Sequence, residues 1–346
     1  MWTVIGHENA VALLRRSLEK SKVAHAYLVV GPAHAGKMTL AVNLAQALNC
    51  TGSEPPCGAC DSCRRIAEGK HSDVQVTELQ RGDEAGETAG KTRISVEQID
   101  QILHSVNLPP FEGKRKVFII DGTEHLSIGA ANRMLKTLEE PVSNVVFILL
   151  TVEEARVPLT VISRCQRIEL FPLPISTVED ALVTRWGIES GKAKLLARLS
   201  EGCLGWAVTM AKDGTLLQQR NDWLDDWIEV LEGDFDSRFS FAAKMTERYS
   251  QNREIVQQKL ALLLDWWRDI LLVKADNADA IVNIDRQDVL KEMASGCTLA
   301  QIRGFIRRIE SVMKQLRLNV SPQLALEVLM LNVPERAKVK KETHDT

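Results

Sequence analysis

The sequence has no excess charge of one sign: 43 Lys and Arg stand against 46 Asp and Glu, a formal net charge of -3. That balance excludes a global basic field of the kind that announces nucleic acid, but not a local patch or a basic partner. No long hydrophobic run is present either. The most apolar stretch, VVFILLTV at 145–152, is far shorter than the roughly 20 residues a bilayer-spanning helix needs. The opening stretch MWTVIGHENAVALLRRSLEK has neither a long apolar core nor a small-residue cleavage site, so it is not a signal peptide, and the expected compartment is the cytoplasm. There is also no internal repeat. What remains is a chain of 346 residues, 45% hydrophobic and 26% charged, which is the composition of a soluble globular protein of two or three domains.

Hydropathy patterning divides the chain near residue 172. Before it, apolar strands alternate with helices. Residues 9–20 read as an amphipathic helix, AYLVV (26–30) as a buried strand, and about 37–48 as a helix. VFII (117–120), VVFILLT (145–151) and QRIELF (166–171) read as further strands, and SIGAANRMLKTLEEP (127–141) as a helix stopped by Pro141. Continuous apolar strands alternating with helices predict an α/β domain whose parallel sheet is covered on both faces. After FPLP (171–174) only helical periodicity remains. Residues 178–211 read as short helices broken at Gly187, Gly202 and Gly205. Longer helices follow, one over 253–273 with Ile255, Leu260, Leu263, Leu264, Trp267 and Leu271 roughly along one face, and a pair over 298–318 and 321–331. The acidic, Gly-rich segment 81–91 is expected to be a flexible surface loop, and the polar tail 335–346 to be frayed.

Seven cysteines occur, and four of them cluster at Cys50, Cys57, Cys60 and Cys63. Paired C-x-x-C steps let thiolates converge on one tetrahedral ion, and Gly58 permits the tight turn between them. An iron–sulfur run of this spacing would require a further Cys where Ala67 stands, so zinc is the expected metal. With four protein ligands such a site is closed and structural. Four unligated surface thiols, or His71 in place of one Cys, are the other readings.

GPAHAGKMTL (31–40) nearly spells a phosphate-binding loop. Gly31, Gly36 and Lys37 fit the pattern G-x-x-x-x-G-K-[ST], but Met38 takes the place of the hydroxyl that would coordinate Mg²⁺. A thioether is a poor ligand for a hard cation, and Thr39, one residue later, is turned about 100° around the helix. His34 occupies a loop position where a small residue would let the backbone approach phosphate. The second strand ends in Asp121, suited to Mg²⁺, but the neighbouring position that would carry a water-polarising Glu is Gly122. Glu124 lies three residues further and need not face the same way. Nucleotide hydrolysis is therefore not expected. Whether the motif still binds nucleotide or serves only as a strand–helix turn stays open.

SRC (163–165) falls between PLTVI, a helical turn, and the strand QRIELF. Arg164 there is either a surface ion pair or an arginine finger, a planar permanent cation offered to a neighbour's transferring phosphoryl group. Sequence alone does not separate the two.

Taken together, HAYLVVGP (25–32), the cysteine module, NRMLKTLEEP (132–141) and TVISRCQ (160–166) resemble the clamp-loader branch of AAA+ proteins over roughly residues 3–210. NVSPQLALEVLML (319–331) resembles the family's C-terminal collar helix. The resemblance implies an AAA+ P-loop domain with a zinc-binding insertion (1–172), a small helical lid (173–212), an all-α collar for oligomerisation (213–334) and a polar tail. It also implies that Arg164 is the finger, that Ser163 and Cys165 hold its turn, and that Thr151 matches the polar position that senses phosphate in active relatives. Motor members of the family keep an intact loop, an Asp-Glu pair and a lid arginine. Here Gly205 falls where that arginine would be, and the gap from Cys50 to Cys57 is shorter than the family's usual spacing. The implied role is a subunit without ATPase activity of its own in a replicative polymerase holoenzyme. It would sit in a hetero-oligomeric ring with ATPase motor subunits and a clamp-opening subunit, which places the sliding clamp on primed DNA. Two other classes remain: a self-sufficient P-loop ATPase that uses Thr39, and a zinc-dependent DNA-binding module. No Arg or Lys lies between Cys50 and Cys63, which disfavours the latter.

Overall fold

A computed structural model describes residues 1–78, 93–318 and 320–334. The acidic segment 81–91 and the tail 335–346 lie outside the described residues. The chain forms two compact units, one of residues 1–186 with 200–208, the other of 187–199 with the residues from 209 onward. The first unit is built, in order, from α1 (Glu8–Glu19), β1 (Ala26–Val30), α2 (Lys37–Asn49), α3 (Asp61–Ala67), β2 (Val74–Thr77), α4 (Val96–Val106), β3 (Lys116–Asp121), α5 (Ile128–Glu139), β4 (Val145–Thr151), α6 (Leu159–Ile162), β5 (Gln166–Glu169) and α7 (Ile175–Trp186). The second holds α8 (Ser190–Leu199), and the boundary between the units passes through α9 (Leu204–Lys212). Then come α10 (Gly214–Glu232), α11 (Phe235–Gln251), α12 (Arg253–Lys274), α13 (Gln287–Gly296), α14 (Leu299–Arg317) and α15 (Pro322–Leu331).

The five strands form one parallel sheet in the order β2-β3-β4-β1-β5. Its two faces explain why β1, β3 and β4 read as continuous apolar runs. Tyr27, Val29, Ile119 and Ile148 pack on one side against Leu14 of α1 and Leu40 and Leu44 of α2. Leu28, Phe118, Ile120 and Leu149 pack on the other against Ile99 and Ile102 of α4 and Met134 and Leu138 of α5. Successive side chains point to opposite faces, so a strand covered on both sides must be apolar throughout. The parallel α/β architecture expected from sequence is the observed one.

The second unit is helical around a core containing Trp227, Trp266 and Trp267. Trp267 meets Phe305 edge-on, with ring centroids 4.8 Å apart. On α12 the buried line runs through Val256, Leu260, Leu263, Trp267 and Ile270. Ile255, Leu264 and Leu271, placed on that face by sequence, are only half-buried. Asp269, fully buried, accepts hydrogen bonds from Val282 N at 2.9 Å and Asn283 N at 2.7 Å and so fastens the irregular segment between α12 and α13. Gly187 and Gly202 break helices as expected, with φ of +64° and +85°. Gly205 does not: it lies inside α9.

Candidate functional site

β1 delivers the chain into the loop at Gly31, and α2 begins at Lys37 behind Gly36, whose φ of +96° only glycine adopts freely. His34 also has positive φ, +61°, a conformation disfavoured for a residue with a Cβ. The loop geometry is thus formed, with a helix N-terminus behind it. Lys37, however, is buried, and its ammonium is turned back on the loop, donating to the carbonyls of Gly31 at 2.8 Å and Pro32 at 2.7 Å. Burial lowers its pKa, with Asp121, Glu124 and Cys203 pulling the other way. Asp121 is pushed up by burial, against the pull of Lys37.

Glu124 does face this cluster. Gly122, at φ +78°, admits a tight turn over Thr123–His125 that swings the side chain inward. The residue is 8% exposed, and its carboxylate accepts the Thr151 hydroxyl at 2.7 Å. The charges of Asp121 and Glu124 thus both bear on the Lys37 ammonium, and the Thr151 hydroxyl is already engaged. Met38 is partly buried and packs against the sheet core.

The beginning of α9 lies on the loop. Gly205 N donates to the His34 carbonyl at 3.0 Å, and a Cβ on Gly205 would come within 2.8 Å of that oxygen. Glycine is needed here for close backbone approach, not for a turn. A cavity of about 330 Å³ beside this contact is lined by Val4, Ala35, Gly36, Thr39, Leu173 and Gly205, among others. Gly205→Ala gains about 1 kcal/mol of helix propensity, but overpacking against a fixed carbonyl costs about 1–3 kcal/mol. The thermal midpoint should therefore fall, and a rise would contradict the contact.

The four cysteines converge. Their Sγ atoms all lie within 4.8 Å of one another, Cys57 and Cys63 at 4.0 Å. A tetrahedral zinc with Zn–S near 2.3 Å sets sulfurs roughly 3.8 Å apart, so the cage fits that ion. Backbone N–H groups are directed at three of the sulfurs: Gly52 and Cys57 at Cys50 Sγ, Cys60 at Cys57 Sγ, and Cys63 at Cys60 Sγ, at 3.2–3.5 Å. At Cys57 such donors lower the thiol pKa, and at Cys60 they outweigh burial and bring it down to about 5. Gly58, at φ +72°, makes the expected turn. His71 is not part of the cluster, and its Nδ1 accepts Asp73 N at 3.2 Å. The short gap from Cys50 to Cys57 still brings Cys50 into the cage. Gln46 ties the module to α2 by donating to the Cys63 carbonyl at 2.8 Å.

Arg164 follows the single turn of α6, some distance along the chain from the loop. Its Nη1 donates to the Thr160 carbonyl at 2.8 Å and to Ser163 Oγ at 3.1 Å, and its Nη2 donates to Glu139 at the end of α5. The Cys165 thiol is pushed up to about 12 by burial and packs against the sheet core. Ser163 Oγ also donates to the Thr160 carbonyl at 3.2 Å. Glu139 was not singled out from sequence. Its signals in the sequence are its place in the NRMLKTLEEP block and an acidic side chain at a helix C-terminus, where the dipole disfavours one.

Two family models match the chain, "DNA polymerase III, delta subunit" over residues 6–174 and "DNA polymerase III, delta subunit, C terminal" over 240–335. The chain belongs to this clamp-loader subunit family. DNA polymerase III subunit delta' of Bacillus subtilis (strain 168) is 28% identical over 324 residues, 93% of this chain and 94% of that protein. DNA polymerase III subunit tau of Escherichia coli (strain K12) is 34% identical over 214 residues, 60% of this chain but 32% of the longer protein. Among solved structures, a gamma subunit-related protein from Thermotoga maritima aligns over 94% of this chain and 99% of its own, at 18% identity and a TM-score of 0.46. The clamp-loader resemblance read from the four sequence blocks is borne out by the family. Among the described residues, no helix is long and apolar enough to cross a membrane.

Proposed function

We propose that this clamp-loader family member is a subunit that does not itself turn over ATP and that lends Arg164 in trans to the nucleotide site of an adjacent ATPase subunit. Residues 1–172 would form the P-loop domain, 173–212 the lid and 213–334 the collar through which it joins a hetero-oligomeric ring. The ring's partners are the motor subunits and the clamp-opening subunit, and its work is to place the sliding clamp on primed DNA. Zinc in the Cys50, Cys57, Cys60 and Cys63 cage holds the insertion; when bound, it supplies structural cross-linking only.

The observation that carries this reading is the engagement of Thr151 by Glu124 at 2.7 Å, in a site where Met38 offers no oxygen. A triphosphate approaching Lys37 meets two carboxylates and a spent hydroxyl. A subunit without a nucleotide-driven state of its own then serves as a fixed wall against which the neighbour closes.

Purified chain alone should show no ATP turnover with Mg²⁺. Met38→Ser should not create any, because it restores the metal ligand but neither the water-polarising Glu at Gly122 nor the lid arginine at Gly205. Hydrolysis by the lone chain that disappears on Lys37→Ala would instead establish the self-sufficient ATPase.

A further inference from the structure

We infer that Glu139 is a positioning residue for Arg164, holding the guanidinium so that its Nε–H and one Nη2–H stay open to an incoming phosphoryl oxygen. The inference rests on the reading of Arg164 as a finger supplied in trans.

Helix α5 ends in Glu139 and Glu140 before Pro141. Negative charge at a helix C-terminus opposes the dipole, so helix stability does not account for Glu139. The backbone on each side is fixed. Leu138 is buried beside Glu139, and Val161 of α6 is buried three residues before Arg164, both in the same core. The carboxylate and the guanidinium thus meet because the elements bearing them are packed in place.

Three donor contacts are made. Nη1 reaches the Thr160 carbonyl and Ser163 Oγ, and Nη2 reaches Glu139. Nε makes no hydrogen bond among the described residues. Nε–H and one Nη2–H are therefore the donors left for an oxygen ligand, and such N–H donors are how a guanidinium takes phosphate. Side-chain exposure is 32% for Arg164 and 51% for Glu139. An ion pair that exposed contributes little to stability. What it does instead is restrict a long side chain to one rotamer before the neighbour's nucleotide arrives, so less ordering remains to be done in the transition state.

The test uses the full chain in the reconstituted complex with its ATPase neighbour. Glu139→Gln and Glu139→Ala should leave the thermal midpoint unchanged. They should lower kcat at the adjoining site by roughly ten- to a hundred-fold, the scale of a misplaced group, with KM for ATP nearly constant. In an Arg164→Ala background, Glu139→Gln should add nothing. If Arg164→Ala depresses turnover and Glu139→Gln does not, the positioning role is overturned while the finger stands. A rise in turnover on Glu139→Gln would also overturn it, since the carboxylate would then be a competitor for the guanidinium. Turnover unchanged by Arg164→Ala would remove the finger itself, and the inference with it.

Discussion

Arg164→Ala should leave the chain folded and depress ATP hydrolysis at the adjoining subunit's site by on the order of a thousandfold or more. Folding is spared because the side chain is partly exposed and its partners, Thr160, Ser163 and Glu139, are all within reach of solvent. Water replaces what they lose, and the ion pair adds little to stability. The turn itself is held by buried Val161 and by the Cys165 thiol, which the substitution does not touch. Only the site against this chain loses its cation, so single-site turnover should be measured rather than the total of the ring. Arg164→Lys keeps the charge but not the planar fork, and should restore only part of the rate. Undiminished hydrolysis at the adjoining site would leave Arg164 as a surface ion pair.

The second large effect concerns the metal. Purified chain should carry one zinc, and a strong chelator or Cys63→Ser should release it. Structural zinc binding contributes about 10–16 kcal/mol in small zinc domains, as much as the roughly 5–15 kcal/mol that stabilises a whole native domain. Cys50 and Cys63 are buried at 1% and 0% exposure, so metal loss removes the cross-link at the centre of the segment's packing. Residues 50–67 should therefore unfold on metal loss and uncover the apolar side of Ile66 and Leu48, seen as a lower thermal midpoint and faster proteolysis in that segment. A chain isolated without metal and equally stable after Cys63→Ser would contradict the cage.

How far these features could be read in the sequence depended on how local they are. β1 and β4 match the expected bounds because strands covered on both faces leave an unbroken apolar run. β2 gave no such run: VQVT lies at the sheet edge, and Val76 is 40% exposed. α4 also went unread, although Ile99, Ile102 and Val106 carry helical spacing and Ser95 with Gln98 forms a capping box. Gly205 reads in the sequence as a helix break because glycine usually marks one; its actual cause is the approach of the His34 carbonyl, far away in sequence.

At the candidate site the pattern is similar. The cysteine cage and the loop residues are contiguous motifs, so spacing alone placed them. Glu124 could not be oriented from its distance to Asp121, since its direction depends on the left-handed turn at Gly122. The pairing of Glu139 with Arg164 joins residues 25 apart through the packing of two helices, and no local pattern encodes it.

The most direct test is the structure of the assembled complex with a phosphoryl transition-state analogue and Mg²⁺. The account predicts the Arg164 guanidinium within hydrogen-bonding distance of the analogue in the adjoining subunit, with Lys37 still bonded to Gly31 and Pro32 in this one. A magnesium-bound analogue seated on Lys37 of this chain, with Arg164 remote from any nucleotide, would contradict it.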